Sequence, residues 1–166
     1  MTLDSVIPRI AGVEAGSPAA AVLEERGRVL ELTQNSHDAL LTPTDPGGLS
    51  LALRAALATR VATINAEEAL TAHYRALLDA ANASTEDRAI ADPAHALGAE
   101  ADRWLAAIVT HADLLATAPQ DSNKATIEAL GAAGVEDSDI VRLTQLIGFV
   151  VYQVRFATGL RLINEQ

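Results

Sequence analysis

Residues 50–81 read "SLALRAALATRVATINAEEALTAHYRALLDAA". Leu53, Leu57, Val61 and Ile64 recur at spacings of three and four, the period that lines one face of an α-helix. Ser50 stands before the pattern as an N-cap, and Asn65 is a reasonable terminator. A second helix over residues 66–81 then meets the first across a tight corner.

The same grammar extends to the rest of the chain. In "GSPAAAVLEERG", Ser17 is the cap, Pro18 the first helical position and Gly27 the stop. A short helix follows over "RVLELTQNSHDALL", and "TPTDPGG" (42–48) is a breaker cluster that must be a loop. "ANASTEDRAIADP" reads as a loop with at most a turn of helix. The stretch "AHALGAEADRWLAAIVTHADLLATAP" contains a long helix, with Leu97, Trp104, Leu105, Ile108 and Leu115 as its stripe and Pro119 at its end. "DSNKATIEALGAAG" is a short helix closed by Gly134. "DSDIVRLTQLIGFVVYQVRFATGLRLI" starts on acidic residues and runs on as the last helix. No alternating apolar–polar run of strand length occurs. The expected architecture is all-α, about seven helices in one domain over 1–166, with 1–47 as an N-terminal helical extension.

Composition supports that class. Hydrophobic residues make up 49% of the chain but aromatics only 3%, so Ala, Leu, Val and Ile must build the core; Ala and Leu are also the best helix formers. Between Ile140 and Ile163 apolar residues lie on most faces of the last helix. A helix apolar nearly all round is either central in its domain or shared with another subunit, and association into a homo-oligomer is expected.

Charge and cysteine content exclude several function classes. Twenty-two acidic against 12 basic residues give a net charge of −10, which argues against nucleic acid and anionic membranes as partners. "MTLDSVIPRI" lacks the basic flank and apolar core of a signal peptide. No stretch is expected to offer the roughly 20 apolar residues that span a bilayer, and cytoplasmic residence is the default. With no cysteine in the sequence, thiolate metal sites and thiol redox chemistry are ruled out.

The histidines are His37, His73, His95 and His111. Neither Glu-x-x-His nor His-Glu-x-x-His spacing occurs around them, so no metal site is expected. Gly-x-Ser-x-Gly and dinucleotide-binding glycine patterns are missing too, and "GAAG" at 131–134 is a helix stop. Glu67 and Glu68, like Asp137 and Asp139, sit at helix beginnings, where they favour the helix dipole. Ala66, Ala69 and His73 fall at i, i+3 and i+7, on one face that lines a small concavity beside the preceding helix. Two roles remain open for His73: a proton-transfer group in that concavity, or a hydrogen-bonded histidine at a helix–helix contact. Tyr74 and Asn65 are placed to orient it or merely to pack and cap. Trp104 and His111 either line the same cavity or serve as a core and a surface residue.

"LSLALRAALATRVATINAEEALTAHYRALL" resembles the core of the alkylhydroperoxidase D-like (AhpD-like), or carboxymuconolactone decarboxylase, superfamily, whose helix pair commonly carries Cys-x-x-Cys-x-x-x-His. "HADLLATAP" and "ALGAAGVEDSDIVRLTQLIGFVVYQVRFATGL" resemble the second half of its longer members, with an aromatic-x-x-Arg run from Tyr152 to Arg155. The resemblance covers roughly residues 48–163. It implies an AhpD-like helical bundle assembled as a trimer or hexamer. Laid on the motif, "AEEALTAH" puts Ala66 and Ala69 at the two cysteine positions and leaves His73. The family glutamate falls near Arg54 or Ala55 and is also missing. Redox members use one thiolate to attack peroxide and a second to resolve the sulfenic acid; a methyl side chain does neither.

Two expectations follow from the resemblance. In one, the chain is a cofactor-free enzyme like the lactone decarboxylases. His73 is then the general acid/base acting on a small carboxylate or lactone, with Arg60, Arg155, Tyr74 and Trp104 binding substrate. In the other, it is a non-catalytic structural subunit or partner of a cysteine-containing AhpD-like paralogue.

Overall fold

The computed structural model describes residues 3–95, 97 and 102–165. Among the described residues helix covers 74% and no strand occurs. The elements run α1 (Val6–Ala11), α2 (Pro18–Glu25), α3 (Gly27–Leu41), α4 (Leu51–Ile64), α5 (Glu68–Ala80), α6 (Thr85–Ile90), α7 (Arg103–Thr117), α8 (Lys124–Ala132) and α9 (Asp137–Asn164), with a 3₁₀ turn at Pro119–Asp121 before α8. The expected loop at 81–93 contains α6, because Ser84 and Asp87 form a reciprocal capping box that fixes its start. Gly27 opens α3 instead of only closing α2. Residues 98–101 of the stretch expected to hold the long helix lie outside the described residues; α7 itself begins at Arg103, with the Asp102 carboxylate accepting the Trp104 backbone N–H.

The helix enclosed on every side is α4. Each residue from Leu53 to Ala62 is buried, and α5, α9, α6, α7 and α3 all pack on it. Ala55, Ala56, Ala58 and Ala62 present no more than a methyl group, which lets these neighbours come close. The stripe Leu53, Leu57 and Val61 is therefore real, but the opposite face is no solvent face. Arg54 and Arg60, which flank the stripe, are 2% and 5% exposed, and the residues opposite it, Ala55, Ala58, Thr59 and Ala62, are buried too.

Buried guanidinium groups must find acceptors for every N–H. Arg54 donates from Nε to the Leu49 carbonyl at 2.9 Å, and from its two terminal nitrogens to the carbonyls of Leu40 and Pro46, each at 2.8 Å. It thereby ties the end of α3 to the loop before α4. Asp139, in the first turn of α9, holds the same loop from the other side: its carboxylate accepts the Gly48 N–H at 3.1 Å and the Arg142 guanidinium at 2.8 Å. A Cβ on Gly48 would run into the Asp139 carboxylate, which is short, buried and fixed by those bonds. Gly48→Ala is accordingly expected to cost about 1–3 kcal/mol of stability, read as a lowered urea midpoint.

The N-terminal helices are integral to the bundle. α1, α2 and α3 pack against α9, and α1 also against α5. Arg161 of α9 forms a two-pronged ion pair with buried Glu67, both contacts at 2.6 Å, and donates to the Ile10 carbonyl at 3.1 Å. That bond lifts the Arg161 pKa above its ordinary value, through the hydrogen bond to Glu67 first. Glu67 thus joins α1, the α4–α5 corner and α9, a larger role than complementing a helix dipole.

α9 is only half enclosed. Leu143, Leu146, Ile147, Val150, Ala157 and Leu160 face the core, while Val141, Tyr152 and Leu162 are exposed. One 18-residue window of this 28-residue helix reaches a mean hydropathy of 1.4, and 39% of that window is buried. By length and composition alone it is long and apolar enough to cross a membrane, contrary to the expectation that no such stretch exists.

Candidate functional site

His73 lies on α5 where α3 and α1 approach, and it is half-buried. Its Nε2 is 2.9 Å from Nε2 of His37 on α3, and its Nδ1 is 3.1 Å from the Arg9 guanidinium on α1. His37, 5% exposed, places its own Nδ1 2.9 Å from the Asp38 carboxylate. The tautomers follow from the two ends of this chain. A guanidinium only donates and a carboxylate only accepts. His73 Nδ1 therefore accepts from Arg9, its Nε2–H donates to His37 Nε2, and His37 Nδ1–H donates to Asp38. Four side chains from three helices form one directional chain of donors, with both imidazoles neutral.

Aromatic contacts complete the cluster. The Tyr74 ring lies 5.2 Å from the His73 ring and stacks near-parallel on His37 at 6.3 Å. Its hydroxyl, fully buried, donates to the Gln153 side-chain carbonyl of α9. Burial pushes the Tyr74 pKa well up, so the phenol stays neutral and acts as a positioning group.

Burial first, and then the neighbouring His37 and Arg9, push His73 down to about 4 from an ordinary 6.5. The unfolded chain takes up a proton as pH falls through 6.5, while the folded chain does not until about 4. Stability supplied by the neutral imidazole is thus fully present above 6.5 and lost as pH drops toward 4. With solvent reaching part of the ring, the loss is on the order of 1–2 kcal/mol. Urea midpoints measured from pH 7 to 4 should fall more steeply for the wild type than for His73→Gln.

The structure separates several residues that the sequence grouped together. Ala66 is not on the His73 helix: it is exposed in the corner before α5 with φ of 54°, and only Ala69 shares the His73 face. Arg60 is unavailable to a substrate. Its Nε and one terminal nitrogen grip the Asp113 carboxylate at 2.6 and 2.8 Å, and the other terminal nitrogen donates to the carbonyls of Ile90 and Asp92. Arg155 lines a groove with Val29, Leu115 and Phe156, and His73 is not among that groove's walls. Trp104 is half-buried against the core, with no ring contact to His73. Asn65 donates to the Val61 carbonyl and so caps α4. His111 is not a surface residue: it is 3% exposed, its pKa lowered by burial, and it faces a small void between α7 and α8.

Sequence reasoning did not single out Arg9, or His37 paired with Asp38. The one local signal was "HD" at 37–38, where a carboxylate adjoins a buried histidine. Among the described residues, no group of three or more His, Asp or Glu stands together as a metal site. No family model, no curated protein and no solved structure matches this chain.

Proposed function

We propose that this chain is an AhpD-like protein without the thiol pair, acting as a cofactor-free acid–base enzyme on a small carboxylate or lactone. The lineage rests on the likeness of residues 48–163 alone, since the comparisons return no relative. The chemistry rests on one observation, the chain from Arg9 through His73 and His37 to Asp38.

Both ends of that chain, Arg9 and Asp38, are exposed; Arg9 is the cation against the imidazole, the role first given to Arg60 and Arg155. An anionic substrate draws the guanidinium off His73 Nδ1 into a two-pronged bond with its carboxylate. Two consequences follow. Nδ1 is uncovered, and its pKa rises because the positive charge against it is now neutralised. Nδ1 then takes a proton from the carbon beside the substrate carbonyl, or returns one to it. The charge gained passes inward as the Nε2 proton moves to His37, whose Nδ1–H already faces Asp38.

Turnover by the wild type and by His73→Ala over a panel of small lactones and keto acids tests this proposal. Loss of turnover with an unchanged circular dichroism spectrum supports it, and equal rates dispose of it. Peroxide consumption with a dithiol reductant stays at background, since the chain has no thiol.

A second reading is favoured by a specific feature: each ring nitrogen of His37 and His73 already has a partner, as in a purely structural cluster. The protein is then a partner subunit of a cysteine-containing paralogue. Under either reading the chain is a cytoplasmic homo-oligomer, a trimer or hexamer by resemblance. Its support is the apolar surface α9 leaves open at Val141 and Leu162, 56% and 55% exposed. Light scattering at micromolar concentration is expected to return a multiple of 17.3 kDa; a stable monomer removes the proposal of assembly.

A further inference from the structure

A groove of about 660 Å³ runs along the outer side of α9, walled by Val29 of α3, by Leu115 near the end of α7 and Pro119 of the 3₁₀ turn, and by Gly148, Tyr152 and Phe156 of α9 itself. Its volume is in the range of small-molecule sites. The walls are apolar and aromatic; Tyr152 lies between Phe149 and Phe156 in tilted ring contacts, with centroids 5.9 and 5.6 Å away. Tyr152 is held in place by its hydroxyl, 3.0 Å from the Thr33 side-chain oxygen. Val29 and Tyr152 remain 42% and 40% exposed, so the groove's apolar walls face solvent.

Arg155 is the charged residue of this lining. Arg28, Arg60, Arg88, Arg142 and Arg161 each pair with a carboxylate, and Arg9 and Arg54 are taken up by His73 and by backbone carbonyls; Arg155, like Arg26, Arg75 and Arg103, is not among the ion-paired arginines. Among the described residues, no carboxylate lies within ion-pair distance of Arg155. An unpaired guanidinium beside an apolar trough complements a molecule with one anionic end and an apolar body. Arg155 is itself exposed, so its guanidinium is open to a two-pronged bond with an incoming carboxylate. Gly148 leaves the groove floor open, since a Cβ there would meet nothing within 4 Å.

We propose that this groove is a binding site for a small amphipathic carboxylate, such as a medium-chain fatty acid, with Arg155 holding the carboxylate and Val29, Leu115, Gly148 and Phe156 enclosing the chain. The site is independent of the His73 cluster. A second copy of this chain is the other occupant the apolar walls admit; the carboxylate-bearing molecule is chosen because Arg155 stands in the lining without a carboxylate partner.

Calorimetry with decanoate, decanol and decylammonium on the whole protein tests the assignment. Decanoate is expected to bind at least tenfold more tightly than the other two. Arg155→Gln should remove that preference, and Gly148→Leu, which fills open space without touching the core, should abolish binding while the thermal midpoint is kept. Equal binding of decanoate and decanol, or decanoate affinity unchanged in Gly148→Leu, overturns the proposal. So does a mass by light scattering that falls in Gly148→Leu, which would mark the groove as a contact between copies. His73→Ala should leave decanoate affinity unchanged, so the failure of either site is told apart from that of the other.

Discussion

Replacing Arg54 with alanine is expected to lower the free energy of unfolding by about 3–5 kcal/mol. The guanidinium is 2% exposed and makes three hydrogen bonds to the carbonyls of Leu40, Pro46 and Leu49. Burial, followed by the charge of Arg142, lowers its pKa, but an arginine stays charged in a protein. Its removal leaves three acceptors without donors, and a cavity beside α4. Arg54→Met restores much of the volume and none of the donors, so it should still cost about 2 kcal/mol or more. Arg54→Lys keeps the charge, but a single ammonium cannot reach three carbonyls spread around a planar fork. Chemical denaturation of the three variants separates these contributions. Alanine and methionine variants both within 1 kcal/mol of wild type, about the span of an ordinary surface change, would mean the 42–50 loop is held by something other than Arg54.

His73→Ala is expected to reduce kcat by roughly 10²–10⁴-fold on any small carboxylate or lactone the wild type turns over. The size follows from the donor chain: once Arg9 has moved, His73 Nδ1 is the nitrogen lone pair presented to the substrate, while that of His37 lies behind His73 on a residue only 5% exposed. Asp38→Asn should lower kcat less, because an amide next to His37 Nδ1–H no longer balances the charge passed inward while leaving His73 itself in place. Arg9→Gln should act chiefly on KM, since it removes the anchor for the carboxylate. It should also raise the kinetic pKa of His73, because one of the charges that depress it has gone. A structural cluster would show none of this split, only a common loss of stability.

Much of the architecture was legible because helix formation is a local matter. Caps at Ser17, Ser50 and Gly134, and the three-to-four spacing of Leu53, Leu57 and Val61, act within a few residues of chain. The misread pieces were those where a distant partner or a single short cap tipped the balance. α1 was invisible because Val6–Ala11 is too short to show a period, and its apolar side chains are buried by packing against α9. α6 rests on one capping box in a polar stretch.

The candidate site divides along the same line. His73 and Tyr74 were identified because they stand side by side on one helix. Arg9 is 64 residues from His73 and His37 is 36 residues away, separations at which sequence spacing carries no information about contact. Arg60 looked like a free cation because nothing local reveals that Asp113, 53 residues on, had taken it.

From its sequence alone, then, this chain was bound to be helical, acidic and without thiol chemistry. Those properties depend only on residue types, their local spacing and the absence of cysteine. Which arginine reaches His73, that His37 and Asp38 stand behind it, and that α4 instead of α9 is the enclosed helix were settled by packing. Hydrogen-bond direction and burial belong to side chains that meet only after the helices have docked.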